Sequence, residues 1–301
     1  MIFNDTAQTN VAPPISLLNS RLSEPTPHNK SVILTFVTKG FVSHIPFWYE
    51  SLSALGYTEH AVAAWDEETM EYCKKHEYRT IPCITHGYKG DIPNNKSQLF
   101  RRYLFAARWK CVHEQLHNGH NVLLTDVDNT FQRFVPLSNF ESFNVIHAYG
   151  GGYPIRHLKS HGFTVCGGMT WLQAHPATIR YVDLIIDRCR DRCDDQGVVN
   201  SLFDSLGVEW RAIEALEQAP LPESHNWPEP AGSRHGIANL TGHSVKVWDT
   251  GFAFRGPLAV SPCPDDPWVA MPANEKTGEK THYRWEEHCP RKKNTTAALK
   301  P

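Results

Sequence analysis

Asn121-Val-Leu-Leu-Thr-Asp-Val-Asp-Asn-Thr-Phe131 decides how the chain is read. Its apolar run, Val122 to Leu124, has the character of a buried strand. It ends in two carboxylates, Asp126 and Asp128, with Val127 between them. In extended backbone, residues i and i+2 point to the same side. Both carboxylates are therefore expected to face one ligand at the strand's carboxyl end, where open α/β sheets bind their ligands. Two neighbouring carboxylates repel each other, and a divalent cation offsets that repulsion. Hard oxygen donors suit Mg²⁺ or Mn²⁺, which bind through one or two carboxylates together with a substrate's phosphates. The plain alternative is a strand followed by an Asp/Asn-rich turn.

Upstream of this stretch, strands alternate with helices. Residues 31–38 form a β-branched apolar run, a buried first strand. Lys39-Gly40 turns the chain into a helix over 45–55, closed by Gly56 as a C-cap. A strand over 60–65 follows, then a helix over 67–76 capped by Asp66. A third strand spans 80–85, a loop 86–95, and a long helix 97–116. Such alternation predicts a parallel, doubly wound sheet. Downstream, strands are expected over 143–147 and 163–171, the latter broken by Gly167-Gly168. Helices are expected over 176–193 and 197–206, a Pro-rich irregular stretch over 217–235, a strand pair over 245–254 and a short strand over 268–271.

At 301 residues with 41% hydrophobic and 11% aromatic content, the chain can build one large core. We expect a flexible arm over 1–30, a single domain over 31–289 and a flexible tail over 290–301. Within the domain, two halves are expected, 31–131 and 132–289. A formal net charge of −2 implies no general attraction to polyanions, so nucleic acid is not an expected partner. No run reaches the ~20 apolar residues of a membrane span. The eight cysteines are scattered without a C-x-x-C pair. Free, mostly buried thiols are expected, which points to the cytoplasm. The Golgi lumen is the alternative if the chain is a trimmed catalytic domain.

Two families share the central motif. Asp126-Val-Asp-Asn-Thr130 resembles the first motif of haloacid-dehalogenase-like phosphatases, which would make Asp126 a nucleophile. That motif normally opens its domain, whereas here three strand–helix units precede it. The wider chain resembles the nucleotide-diphospho-sugar transferases of GT-A fold, in particular those similar to family 77 glycosyltransferases. Lys110 followed by Leu116-His-Asn-Gly-His-Asn-Val-Leu-Leu-Thr-Asp-Val-Asp resembles that family's central signature. Gly167-Gly-Met-Thr-Trp171 resembles its glycine-containing strand beside the donor sugar, and Asp195-Gln196 with Asn200 its D-Q-x-x-x-N segment.

The resemblance implies an α/β, Rossmann-like sheet, mostly parallel, with helices on both faces and irregular C-terminal additions, the half over 31–131 binding the nucleotide and the half over 132–289 the donor sugar and acceptor. It implies a metal-dependent, retaining transfer of a sugar from a nucleoside-diphosphate sugar, a UDP-sugar by preference, to a hydroxyl acceptor. Asp126 and Asp128 would hold Mn²⁺ or Mg²⁺. Thr38, Lys39 and Gly40 would meet the nucleotide, and Lys110 matches a family position; with Arg101 and Arg102 it lies on the helix before the strand, where all three could meet phosphate or sugar hydroxyls. Gly167 and Gly168 would leave room for the sugar, and Asp195 and Gln196 would orient donor and acceptor. The chain departs from the family near its end, where Pro272-Ala-Asn274 replaces a His-x-Asn segment. Lys280 is left for the diphosphate, and either His282 or water for the last metal position. Reaction on one face and double displacement through Asp195 both remain open, as does a non-catalytic sugar-nucleotide binder on the same fold.

Overall fold

The structure is a computed structural model that describes residues 30–83, 98–150, 153–190, 194–212, 234–238, 242–248, 253–256 and 268–272. The expected arm over 1–30 (all but Lys30), the tail over 290–301 and the loop over 86–95 lie outside those residues.

Strand β1 (Ser31–Val37) pairs in parallel with β2 (His60–Ala64) on one side and β4 (Asn121–Thr125) on the other. β3 (Thr80–Pro82) adds to the far side of β2. The chain leaves β1 toward the sheet edge, through α1 (Ile45–Ala54) and α2 (Glu67–Lys75). It returns through α3 (Gln98–His117) to β4. Strand order thus reverses at β1, and a crevice opens at the carboxyl ends of β1 and β4.

Beyond β4, β7 (Val165–Leu172) runs antiparallel between β4 and β6 (Val145–Tyr149). β10 (Ser244–Val247) pairs in parallel with β6. β9 (Arg234–Ala238) and β8 (Val208–Ala212) complete the edge in antiparallel fashion. Of the nine strands in the order β3-β2-β1-β4-β7-β6-β10-β9-β8, only β7 and β9 run against the rest. The expected mostly parallel α/β sheet is what forms.

Alternation along β1 splits the core in two. Val32 and Leu34 face one layer with α3, α5 (Pro176–Cys189) and α6 (Asp195–Leu206). Ile33 and Val37 face the other, with α1 and α2. Full burial of each such side chain stabilises by about 1.5–3 kcal/mol. On α5, Tyr181, Val182, Ile185, Ile186 and Cys189 are buried at helical spacing, and Pro176 opens the helix where a missing N–H costs nothing. Asp66 caps α2 as expected, its carboxylate accepting from the Thr69 N–H at 2.9 Å.

A second, three-stranded sheet orders as β11 (Ala253–Gly256), β12 (Val269–Pro272) and β5 (Thr130–Phe131). Its Trp268 packs on Phe131, Phe140 and Trp248 in the same layer as α1. The Trp268 indole N–H also donates to the Tyr57 hydroxyl at 3.1 Å.

Several expectations change. Residues 245–254 are not one strand pair, because β10 belongs to the large sheet and β11 to the small one. β7 is continuous through Gly167 and Gly168. A helix, α4 (Ile155–His161), and the strands β8 and β9 were not expected. Cys83 and Cys111 form a disulfide, with Cα atoms 6.0 Å apart. Free thiols were expected there. The fold brings the end of an edge strand against the middle of α3 across 28 residues, which spacing alone does not signal. The cytoplasmic assignment loses the support it drew from free thiols, although Cys73, Cys166 and Cys189 are buried and outside any disulfide.

Candidate active site

The chain leaves β4 at Thr125 and turns at once. The Asp126 N–H donates to the Gly168 carbonyl at 2.7 Å, and the Asn129 N–H donates to the Asp126 carbonyl at 3.2 Å. The buried Asn129 amide donates to Thr125 Oγ1 at 2.9 Å and to the Gly168 carbonyl at 3.1 Å. Side-chain bonds of this kind compete with strand pairing and favour turns. Asp126 and Asp128 therefore sit in a turn pinned to β7, not in extended backbone, and alternation along a strand does not describe them. Asp126 is turned toward α3 and β7. Asp128 borders a small open pocket with His44, Phe47 and Trp48 from the start of α1.

At the centre lies Arg108, which the sequence reading had passed over. It is 8% exposed. Its guanidinium lies 3.0 Å from Asp126 Oδ1 and 3.5 Å from Asp195 Oδ2, and it donates to the Gly167 carbonyl at 3.1 Å. One cation thus ties together the β4 turn, β7 and the start of α6. Burial disfavours the Arg108 charge, but Asp126 and Asp195 outweigh it and hold the guanidinium more firmly protonated than usual. Asp195 is driven the other way. Burial pushes its carboxyl up to about 6, against the pull of Arg108 and helped by the nearby charges of Asp126 and Asp194. Arg108 gave a signal that could have been read. Its neighbours at helical spacing, Phe105, Cys111 and Val112, are apolar, so a cation falls within the buried face of α3.

The two glycines of β7 make space for the two carboxylates. A Cβ on Gly168 would stand 2.1 Å from Asp126 Oδ2, and one on Gly167 would stand 3.3 Å from the Asp195 carboxyl. Here β7 also slips against β6, for His147 lies opposite Thr170 while Tyr149 lies opposite Val165.

Asp195 is the first residue of α6, and the N-cap is Asp194. The Asp194 carboxylate accepts from the Tyr153 hydroxyl. Gln196 donates its amide to the Tyr153 carbonyl at 2.7 Å. Asn200 is buried and bonds both the N–H and the carbonyl of Val165 at 2.9 Å, so it serves as a brace between α6 and β7.

At the end of β1, Thr38 and Lys39 lie beside the β4 turn, since Thr35 pairs with Thr125. The Lys39 backbone N–H donates to Asp66 Oδ2 at 2.8 Å, and its ammonium pairs with Glu68 at 3.2 Å in an exposed contact. The space beside Gly40 is nearly open, with Thr38 Oγ1 4.0 Å from a built Cβ. Arg101 lies on the same face of α3 as Arg108, seven residues or about 10 Å along the axis. Lys110, two residues beyond Arg108, is rotated by about 200° to a different face. Lys280 and His282 lie outside the described residues.

A profile of the nucleotide-diphospho-sugar transferase family matches residues 57–227. That is more than half of the 301 residues, and the chain belongs to this family of glycosyltransferases. Membership sets aside the phosphatase reading of Asp126. Among solved structures, the galactosyltransferase LgtC in complex with donor and acceptor sugar analogues aligns with a TM-score of 0.46 and 12% identity. The alignment covers 80% of this chain and 87% of that one. The apo form of the glycosyltransferase GlyE from Streptococcus pneumoniae TIGR4 aligns with a TM-score of 0.38 and 14% identity, over 59% of this chain and 44% of that one. No curated protein sequence matches the chain. Among the described residues no helix is long and apolar enough to cross a membrane.

Proposed function

We propose that the chain transfers a sugar from a UDP-sugar to a hydroxyl acceptor with retention of configuration, using Mn²⁺ or Mg²⁺. The observation that carries this is Arg108, buried between Asp126 and Asp195 over two glycines that leave room for both carboxylates. Two acids and a buried cation at the carboxyl ends of a sheet, where ligands bind, support this reading.

The donor set fits a hard cation. Asp126 and Asp128 offer carboxylate oxygens beside the crevice, and Asp126 is 36% exposed although Arg108 holds one of its oxygens. When bound there, the cation would stabilise negative charge growing on the departing diphosphate. The residues of the chain do the rest. Arg108 fixes the orientation of Asp126 and adds positive charge behind it. Thr38 and Gly40 leave close backbone approach for the nucleotide, and Arg101 reaches toward phosphate from the start of α3. Asp195 and Gln196 orient donor and acceptor hydroxyls. With its side chain only 8% exposed, Asp195 is poorly placed to attack the sugar itself. This favours reaction on one face. The acceptor oxygen bonds the anomeric carbon as the diphosphate oxygen leaves, and the acceptor's proton passes to that diphosphate.

UDP with Mn²⁺ should raise the melting temperature, and EDTA should reverse the rise. Ligand at 100 times its Kd stabilises by about 2.7 kcal/mol. A screen of nucleotide sugars for Mn²⁺-dependent release of UDP should then identify the donor. Asp128→Ala should abolish metal-dependent UDP binding. Asp195→Ala should keep UDP binding and lose most turnover. Equal loss of UDP affinity in both variants would undo this division of roles, and binding without turnover of any donor would leave a sugar-nucleotide binder.

A further inference from the structure

Away from the crevice, α4 carries His157 and His161, one helical turn apart on a single face. Asp204, near the end of α6, lies against both. His157 Nδ1 stands 2.9 Å from Asp204 Oδ2, and His161 Nε2 stands 2.5 Å from Oδ1. The two imidazole rings are within 4° of parallel, with centroids 6.4 Å apart. Among the described residues this is the one group whose three ligand atoms all lie within 4.8 Å of one another. Asp204 follows Asp195 by nine residues of the same helix, so the cluster is displaced from Asp195 by about 13 Å along α6. No role in sugar transfer falls to it.

We infer that His157, His161 and Asp204 form a zinc site separate from Asp126 and Asp128. Two imidazoles and a carboxylate are a zinc donor set, with a fourth position left to water. The Asp126–Asp128 turn offers only oxygen, so the two sites sort metals by softness: Mn²⁺ or Mg²⁺ to the carboxylates, Zn²⁺ to the imidazoles. The scaffold holds the ligands in place. His157 is buried. Directly after His161, Gly162 ends α4 in the left-handed region at φ 74°, and its N–H donates to the Leu158 carbonyl at 2.8 Å. Helices α4 and α6 are already joined at their opposite ends through Tyr153, by its hydroxyl to Asp194 and its carbonyl to Gln196. A zinc ion closes the second end of that pair and stiffens the Gln196 side of the crevice from a distance.

The test uses the full chain freed of metal by a chelator, with ZnCl₂ titrated against a chromophoric zinc competitor. Asp128→Ala removes the oxygen site and should still bind one zinc per chain. His161→Ala and Asp204→Asn, both at partly exposed positions, should each weaken that binding by at least about tenfold, the lower bound for disturbing ligand support. Co²⁺ in place of Zn²⁺ should give the visible absorption of a four-coordinate ion in Asp128→Ala and lose it in His161→Ala. Circular dichroism in EDTA confirms that each variant is folded. Zinc binding absent from Asp128→Ala, or undiminished in the two ligand variants, would overturn the site and leave Asp204 as an ion-pair partner of the two histidines. The wild-type Co²⁺ spectrum decides the matter even where a variant fails to fold, because an octahedral spectrum alone would exclude the site.

Discussion

Asp195 is where burial and charge compete most openly. Its carboxyl sits at about 6 in the folded chain, against ~3.9 for an unperturbed aspartate. Between those values the folded state holds a proton that the unfolded state has released, so stability falls as pH rises from 4 through 6 and is level above. Asp195→Asn keeps the shape and lacks the titration. Relative to that variant, the wild type should lose about 3 kcal/mol across this window. Urea unfolding at pH 4, 5, 6 and 7 measures the difference, and a pH-independent gap would show that burial does not govern the group. Gly168 makes a second case. A methyl group there collides with Asp126, so Gly168→Ala should cost about 1–3 kcal/mol and sharply reduce the UDP-dependent melting shift. At this scale the sequence announced its acids, because carboxylates after a strand or at a helix start are conspicuous. It did not announce Arg108, since the surface reading is the default for an arginine on a helix and only the packing of α3 on β4 and α5 turns that residue inward.

Among the elements, β7 depends on a brace from outside the sheet. Val165 has its backbone N–H and carbonyl satisfied by the buried Asn200 amide. Asn200→Ala strands both groups and should lower stability by about 2–4 kcal/mol, read as a drop in urea midpoint at unchanged slope. The small sheet bears on the metal. β12 pairs antiparallel with β5, Ala270 opposite Thr130, so from that pair β12 runs on toward the turn of Asp128 and ends at Pro272. Pro272→His should therefore add an imidazole beside the carboxylates and tighten Mn²⁺ binding, measurable by titration calorimetry. Unchanged affinity would mean that position 272 does not reach the carboxylates. Long elements with strong periodicity, such as β1, α3 and α5, were legible from their apolar spacing. α4 was not, because its seven residues are largely polar and its capping comes from Pro154 and Gly162 rather than from an apolar stripe. β9 was hidden by the Pro-rich sequence before it, and β10 and β11 merged because only tertiary pairing assigns them to different sheets.

For the molecule as a whole, the nucleotide half and the sugar half expected from the sequence share one sheet. β4 of the first pairs along its length with β7 of the second, and both core layers cross the junction. Heating should give one transition, with far-ultraviolet and near-ultraviolet circular dichroism superimposing; separated midpoints would mean two independently stable halves. The α/β class was readable because strand–helix alternation is a local pattern. The reversed β7 was not, since strand direction depends on which neighbour a strand finds. The bond between Cys83 and Cys111 adds a property of a different kind. It makes the polypeptide a ring from one cysteine to the other, so a protease that cuts once inside the ring opens a circle instead of releasing a piece. Such a nicked chain would run as a single species on a non-reducing gel and divide in two only when a thiol is added.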